Sequence, residues 1–226
     1  MTPWRALWPG IAALVAVMGI GRFVYTPILP EMLAAGALTL AEAGWVAAAN
    51  YVGYRVGAMA ATRVRGRERQ VALARAGLVA TVATLAAMAV SGSVPGWSAL
   101  RFASGVASAL SLVFVSALTL ERLAAIGAAD RVIWLYSGVG AGIAASAVLT
   151  QAVHAAGRPW TDAWSAAAAI AAACSVAAWG AGAAARRGEG AGGASAAAPA
   201  EAPVPAVIPA SAPALAAAPA APLARV

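Results

Sequence analysis

The chain has 226 residues, of which 62% are hydrophobic and 10% charged, and its mean hydropathy is +0.81. Soluble domains carry roughly 25% charged residues, so this surface cannot solvate a globule of such size and an ordinary soluble enzyme is excluded. The net charge of +7 comes from 15 basic residues against 8 acidic ones, and the single cysteine, Cys174, excludes an intrachain disulfide framework.

A membrane helix needs about 20 mostly apolar residues, and six such stretches follow one another along the chain. The first covers residues 7–30 and contains Arg22; the second covers 43–61 and contains Arg55. The third covers 71–90, the fourth 98–120 with Arg101 near its start, the fifth 132–153 and the sixth 163–185. Short alternating strands of the kind a membrane barrel needs do not occur. The first stretch reads as a signal anchor that stays in place. Its apolar run continues past Arg22 through Pro27 and Pro30, and five further stretches follow.

Every basic residue is an arginine, and the arginines set an orientation. Arg63, Arg65, Arg67 and Arg69 join the second and third stretches. Arg122 and Arg131 join the fourth and fifth, Arg186 and Arg187 follow the sixth, and Arg5 precedes the first. If the six stretches alternate, all of these fall on one side, and Arg158 stands nearly alone on the other. Positive charge is retained on the cytoplasmic side. The expectation is a bacterial-type inner-membrane protein with both termini cytoplasmic.

Residues 1–187 are thus predicted to form an all-α domain of six transmembrane helices. From residue 188 the composition becomes rich in alanine and proline, and large apolar residues are sparse. Prolines at this density break helices, so 188–226 is predicted to be a disordered cytoplasmic tail.

Polar residues inside the apolar stretches are the candidates for function. An arginine at bilayer depth costs about 2.5–3.5 kcal/mol on insertion scales. Arg22 either holds an anionic substrate group or a coupling carboxylate in a cavity, or is structural, snorkelling outward or pairing with Glu31. At helical spacing Tyr25 and Thr26 share its face. Asn50 and Tyr54, four residues apart, either donate hydrogen bonds to a solute or bond across helices. Gly53 and Gly57 form a small-xxx-small pair for close helix packing. Arg101, Ser104, Ser108 and Ser111 make one polar stripe, which either lines an aqueous path or packs against a neighbour. Gly138, Gly142, Ser146 and Thr150 recur every fourth residue and predict a tight helix contact. Enzyme signatures are sparse: His154 is the only histidine, and no lysine exists for a phosphate-binding loop. No catalytic residue, metal site, cofactor or nucleic-acid partner is expected.

These same residues carry a resemblance. Gly19-Ile20-Gly21-Arg22-Phe23-Val24-Tyr25-Thr26-Pro27-Ile28-Leu29-Pro30 resembles the first-helix signature of the YbfB/YjiJ-like branch of the major facilitator superfamily. Ala49-Asn50-Tyr51-Val52-Gly53-Tyr54, with Gly57-Ala58, resembles its second helix. Arg101-Phe102 followed by Gly105 is similar to the superfamily's fourth-helix motif, and Ser137-Gly138-Val139-Gly140, with Gly142-Ile143-Ala144, to the fifth helix of the branch. The resemblance covers residues from about 10 to 185. Two departures stand out. Ala61 occupies the place of the aspartate in the superfamily's loop motif, and Arg55 stands where an apolar residue is usual. The superfamily is built from two six-helix halves with the substrate between them, and this sequence resembles the N-terminal half.

The resemblance implies secondary transport of a small solute across the lipid bilayer. It puts Arg22, Tyr25, Asn50, Tyr54 and Arg101 on the pathway, and Gly53, Gly57, Gly105, Gly138 and Gly142 at helix contacts. The partner would be a second six-helix half or a homodimer mate. The alternative is a non-transporting remnant or membrane scaffold from a truncated gene.

Overall fold

The computed structural model describes the backbone of residues 2–190 and side chains through residue 179. The predicted disordered tail lies, from residue 191 onward, outside the described residues. Helices and turns make up the described part, with no strand among them.

Five helical segments are long and apolar enough to cross a membrane: Pro3–Ala34, Arg67–Val90, Val94–Ala124, Ala129–Ala155 and Trp160–Trp179. Between the first two lies Leu40–Ala61, whose 22 residues extend about 33 Å at 1.5 Å per residue. That length spans a hydrocarbon core of about 30 Å. It is less apolar than the others because Asn50, Tyr51, Tyr54 and Arg55 fall in its middle.

The first segment is predicted as one helix over 7–30 and is in fact three pieces. Helix α1 (Pro3–Leu14) passes into a π-helical stretch over Val15–Ile20, and α2 (Tyr25–Ala34) follows after a turn. The widening is visible in the Gly21 N–H, which donates to the Ala16 carbonyl five residues back at 2.8 Å. Pro27 falls in the first turn of α2, where a missing N–H removes no intrahelical bond. The remaining helices are α3 (Leu40–Ala61), α4 (Arg67–Val90), α5 (Val94–Ala124), α6 (Ser137–Ala155) and α7 (Trp160–Gly190). A 3₁₀ stretch, Ala129–Tyr136, leads into α6.

The ends are set by local chemistry. Thr39 and Glu42 form a reciprocal capping box at the start of α3. Ser93 accepts from the Gly96 N–H at the start of α5, with Pro95 just inside. Helices α2, α5 and α6 stop in the same way. Gly36, Gly127 and Gly157 adopt positive φ, and the next N–H reaches back to the carbonyls of Met32, Leu123 and Val153.

The first segment and α5 are the most buried of the five. Leu7, Leu14, Val17, Ile20, Ile28 and Met32 carry the first segment's contribution to the core. Trp164 of α7 is fully buried and lies against Tyr25, ring centroids 6.3 Å apart.

Several glycines sit where two helix backbones approach closely. A methyl group at Gly53 would overlap the Phe102 carbonyl, and one at Gly105 would overlap the Asn50 carbonyl, so α3 and α5 meet backbone to backbone. Gly57 faces Val106 in the same seam. Gly142 of α6 meets Gly19 in the π-helical stretch, and a Cβ at Gly138 would lie 2.5 Å from the Ile11 carbonyl. Ser146 continues this second seam by donating to the Gly19 carbonyl at 3.3 Å.

Candidate functional site

The break between the π-helical stretch and α2 positions the candidate site. A turn over residues 21–24 leaves carbonyls pointing sideways, and buried carbonyls need donors. Arg101 of α5 supplies them: Nη1 donates to the Gly21 carbonyl at 3.2 Å and Nη2 to the Arg22 carbonyl at 2.9 Å. Ser104, one turn further along α5, adds a bond to the Gly21 carbonyl at 3.3 Å. Arg101 is only 4% exposed, and its guanidinium also lies 5.1 Å from the Tyr25 ring centroid. It ties the turn to α5.

The side chain of Arg22 projects from this turn toward α3. Its guanidinium carbon lies 4.0 Å from the Tyr54 ring centroid, 5.0 Å from Tyr51 and 5.9 Å from Phe23. Each such contact is worth about 0.5–2 kcal/mol according to how far it is desolvated. The aromatic faces stabilise the cation without supplying a hydrogen-bond acceptor to every nitrogen. Arg22 Nη1 is buried and has no hydrogen-bond partner, and Arg22 makes no ion pair among the described residues. Pairing with Glu31, one of the two structural alternatives raised by the sequence, does not occur. Glu31 instead meets His154 Nδ1 at 2.8 Å.

The other candidates take different places. Tyr25 is buried, and its hydroxyl donates to the Ala43 carbonyl at 3.1 Å. The rings against Arg22 are those of Phe23, Tyr51 and Tyr54, so the face shared by Arg22 and Tyr25 in an unbroken helix does not hold the cage. Asn50 is 2% exposed and donates from Nδ2 to the Arg101 carbonyl at 2.9 Å, a bond between α3 and α5. The serine stripe of α5 packs: Ser108 bonds to the Gly105 carbonyl at 2.9 Å and Ser111 to the Ala74 carbonyl at 3.5 Å. Arg55 is exposed. Tyr51 is not among the sequence candidates. Its spacing of three from Tyr54 is the available signal, since residues three apart share a helix face.

The site therefore has two layers. Arg101, Asn50 and Tyr25 form a buried scaffold, and Arg22, Tyr51 and Tyr54 form an outward-facing cationic and aromatic cage. Tyr51, at its edge, is 60% exposed.

A family model described as "Uncharacterised MFS-type transporter YbfB" matches residues 14–218. The chain belongs to the YbfB-like family. The match begins at Leu14, at the end of α1, so it takes in the π-helical stretch, the Arg22 turn and all of α3 and α5. It extends beyond the described residues at its other end. Membership makes this chain a multi-pass membrane transporter of the major facilitator type, in keeping with its apolar helices. No curated protein and no solved structure matches the chain.

Proposed function

We propose that this YbfB-like protein carries a small organic anion across the inner membrane, with Arg22 as its point of contact. The observation that carries the reading is the buried, unpartnered Nη1 of Arg22. A guanidinium nitrogen left without an acceptor at bilayer depth is costly. A carboxylate or phosphate on a passing solute supplies the missing acceptor in a charge-assisted bond. Tyr51 and Tyr54 pack their rings against the guanidinium in that position, and their hydroxyls add hydrogen-bonding capacity. Arg101 acts one step behind, holding the turn from which Arg22 projects.

In this reading the chain has six spans, α3 being the second, with both termini cytoplasmic. The polarity of α3 supports its place on the pathway. Tyr51, Val52, Arg55 and Met59 are all exposed along it. A face that mixes arginine and tyrosine is poorly suited to lipid and well suited to an aqueous path closed by a second six-helix unit. Superfamily sites lie between two such units.

Uptake into proteoliposomes tests the proposal, using a panel of carboxylates, phosphate esters and neutral solutes. Arg22→Ala should abolish uptake of the anion that the wild type accepts. Arg22→Lys should retain a fraction, because the charge stays but the planar stacking is lost. Uptake unchanged in Arg22→Ala removes Arg22 from the site. A wild type that moves only neutral solutes overturns the anion assignment, and one that moves no solute favours the remnant reading.

A further inference from the structure

A second group of arginines lies at the Arg67 end of the bundle. Arg67 and Arg75 of α4 and Arg122 of α5 line a chamber of about 110 Å³, floored by apolar residues of α1, α4 and α5. No carboxylate lines it among the described residues. Glu121 pairs with Arg67 at 3.5 Å from outside the lining. Beside the chamber, between α4 and α7, runs a groove of about 540 Å³ lined by Leu78, Val79, Val82, Ala83, Val176 and Trp179, among others. The two cavities share Leu78 and Trp179. At this junction the Arg75 guanidinium stacks 4.8 Å from the Trp179 ring centroid.

The order along the helices is that of a lipid. On α4, Arg67 and Arg75 come first, and Leu78 to Ala83 then cover about 7.5 Å of helix axis deeper in the bundle. The antiparallel α7 agrees, with Trp179 at the arginine end and Val176 beyond it. Charge sits toward the end of the helices and apolar surface runs along them from it. A soluble anion would use the chamber but leave the groove empty, and a neutral lipid would use the groove but bring no net negative charge to the arginines.

We infer that the two adjoining cavities bind one anionic phospholipid, its phosphate against Arg67, Arg75 and Arg122 and the upper part of an acyl chain between α4 and α7. Basic pockets between membrane helices hold anionic headgroups in this way. The site is separate from the Arg22 cage and does not depend on it.

Native mass spectrometry of the full chain, with phosphatidylglycerol or phosphatidylcholine added, tests the inference. Phosphatidylglycerol should be retained and phosphatidylcholine lost. Replacing both Arg75 and Arg122 by glutamine should lower phosphatidylglycerol affinity on the order of tenfold. Arg158→Gln, at the other end of the bundle and paired there with Asp162, should leave it unchanged. Ala83→Leu, which narrows the groove and keeps every arginine, should also weaken retention, and a melting curve for each variant separates lost binding from lost folding. Equal retention of the two lipids overturns the inference, as does an Arg158→Gln effect equal to that of the double variant. Displacement of the lipid by millimolar inorganic phosphate, with Ala83→Leu without effect, also overturns it by reducing the site to a simple anion pocket.

Discussion

The two helix seams predict that one substitution, glycine to alanine, has opposite signs at two helical positions. At Gly53 the added methyl would overlap the Phe102 carbonyl in the seam between α3 and α5. Neither backbone can give way locally, so the helices must separate and loosen the contacts that flank the seam, including the Asn50 bond to the Arg101 carbonyl. Overpacking of this kind costs about 1–3 kcal/mol. At about 2–4 °C per kcal/mol for a domain of this size, Gly53→Ala should lower the melting temperature by roughly 2–12 °C. Gly140 lies in α6, and a methyl group placed on it would meet nothing within 4 Å. There alanine adds only helix propensity, worth about 0.5–1 kcal/mol, and should raise the melting temperature by roughly 1–4 °C. Thermal unfolding of detergent-solubilised protein, followed by tryptophan fluorescence, measures both. A Gly53→Ala protein as stable as wild type would refute the backbone seam. A Gly140→Ala protein destabilised as much as Gly53→Ala would show that α6 packs differently along that face.

Arg101→Gln removes two charge-assisted bonds to the turn carbonyls and relieves the cost of one buried charge. The net loss should be about 2–4 kcal/mol, with uptake falling as the Arg22 turn loosens; calorimetry and uptake on one preparation check this. His154→Ala removes a half-exposed pair with Glu31 and should cost under about 1 kcal/mol, read as a melting shift of no more than a few degrees. Arg67→Cys in a Cys174→Ala background should react with a membrane-impermeant maleimide only after cells are permeabilised, and labelling of intact cells would reverse the orientation.

Much of this architecture is legible in the sequence, because bilayer thickness turns composition into helices almost residue by residue. The glycine seams are legible for a similar reason: Gly53 with Gly57, and Gly138 with Gly142, repeat every fourth residue, which is a statement about one helix face. The break in the first segment is not. A mostly apolar run over residues 7–30, with Arg22 inside it, reads as one helix. The π-helical widening coincides with Gly19 meeting Gly142, more than a hundred residues away, and with the donors that Arg101 brings to the turn. Arg22 and Arg101 also look alike in the sequence, as two arginines in apolar surroundings. Their difference lies in their acceptors: Arg101 finds two backbone carbonyls at the turn, and Arg22 finds only rings. Asn50 stays open between solute and helix for the same reason, and the carbonyl that it meets belongs to Arg101.

The contact of Gly19 with Gly142 also fixes the spacing of the chain. Where two main chains touch, no rotamer can absorb an error in register. One residue inserted into α6 ahead of Gly142 would turn everything beyond it by about 100° and bring a side chain against Gly19. Ser146 would turn away from the Gly19 carbonyl in the same movement. Length changes should therefore be confined to the connections between helices; Gly138, Gly142 and Ser146 admit only residues of similar size, and the interval they bound admits neither insertion nor deletion.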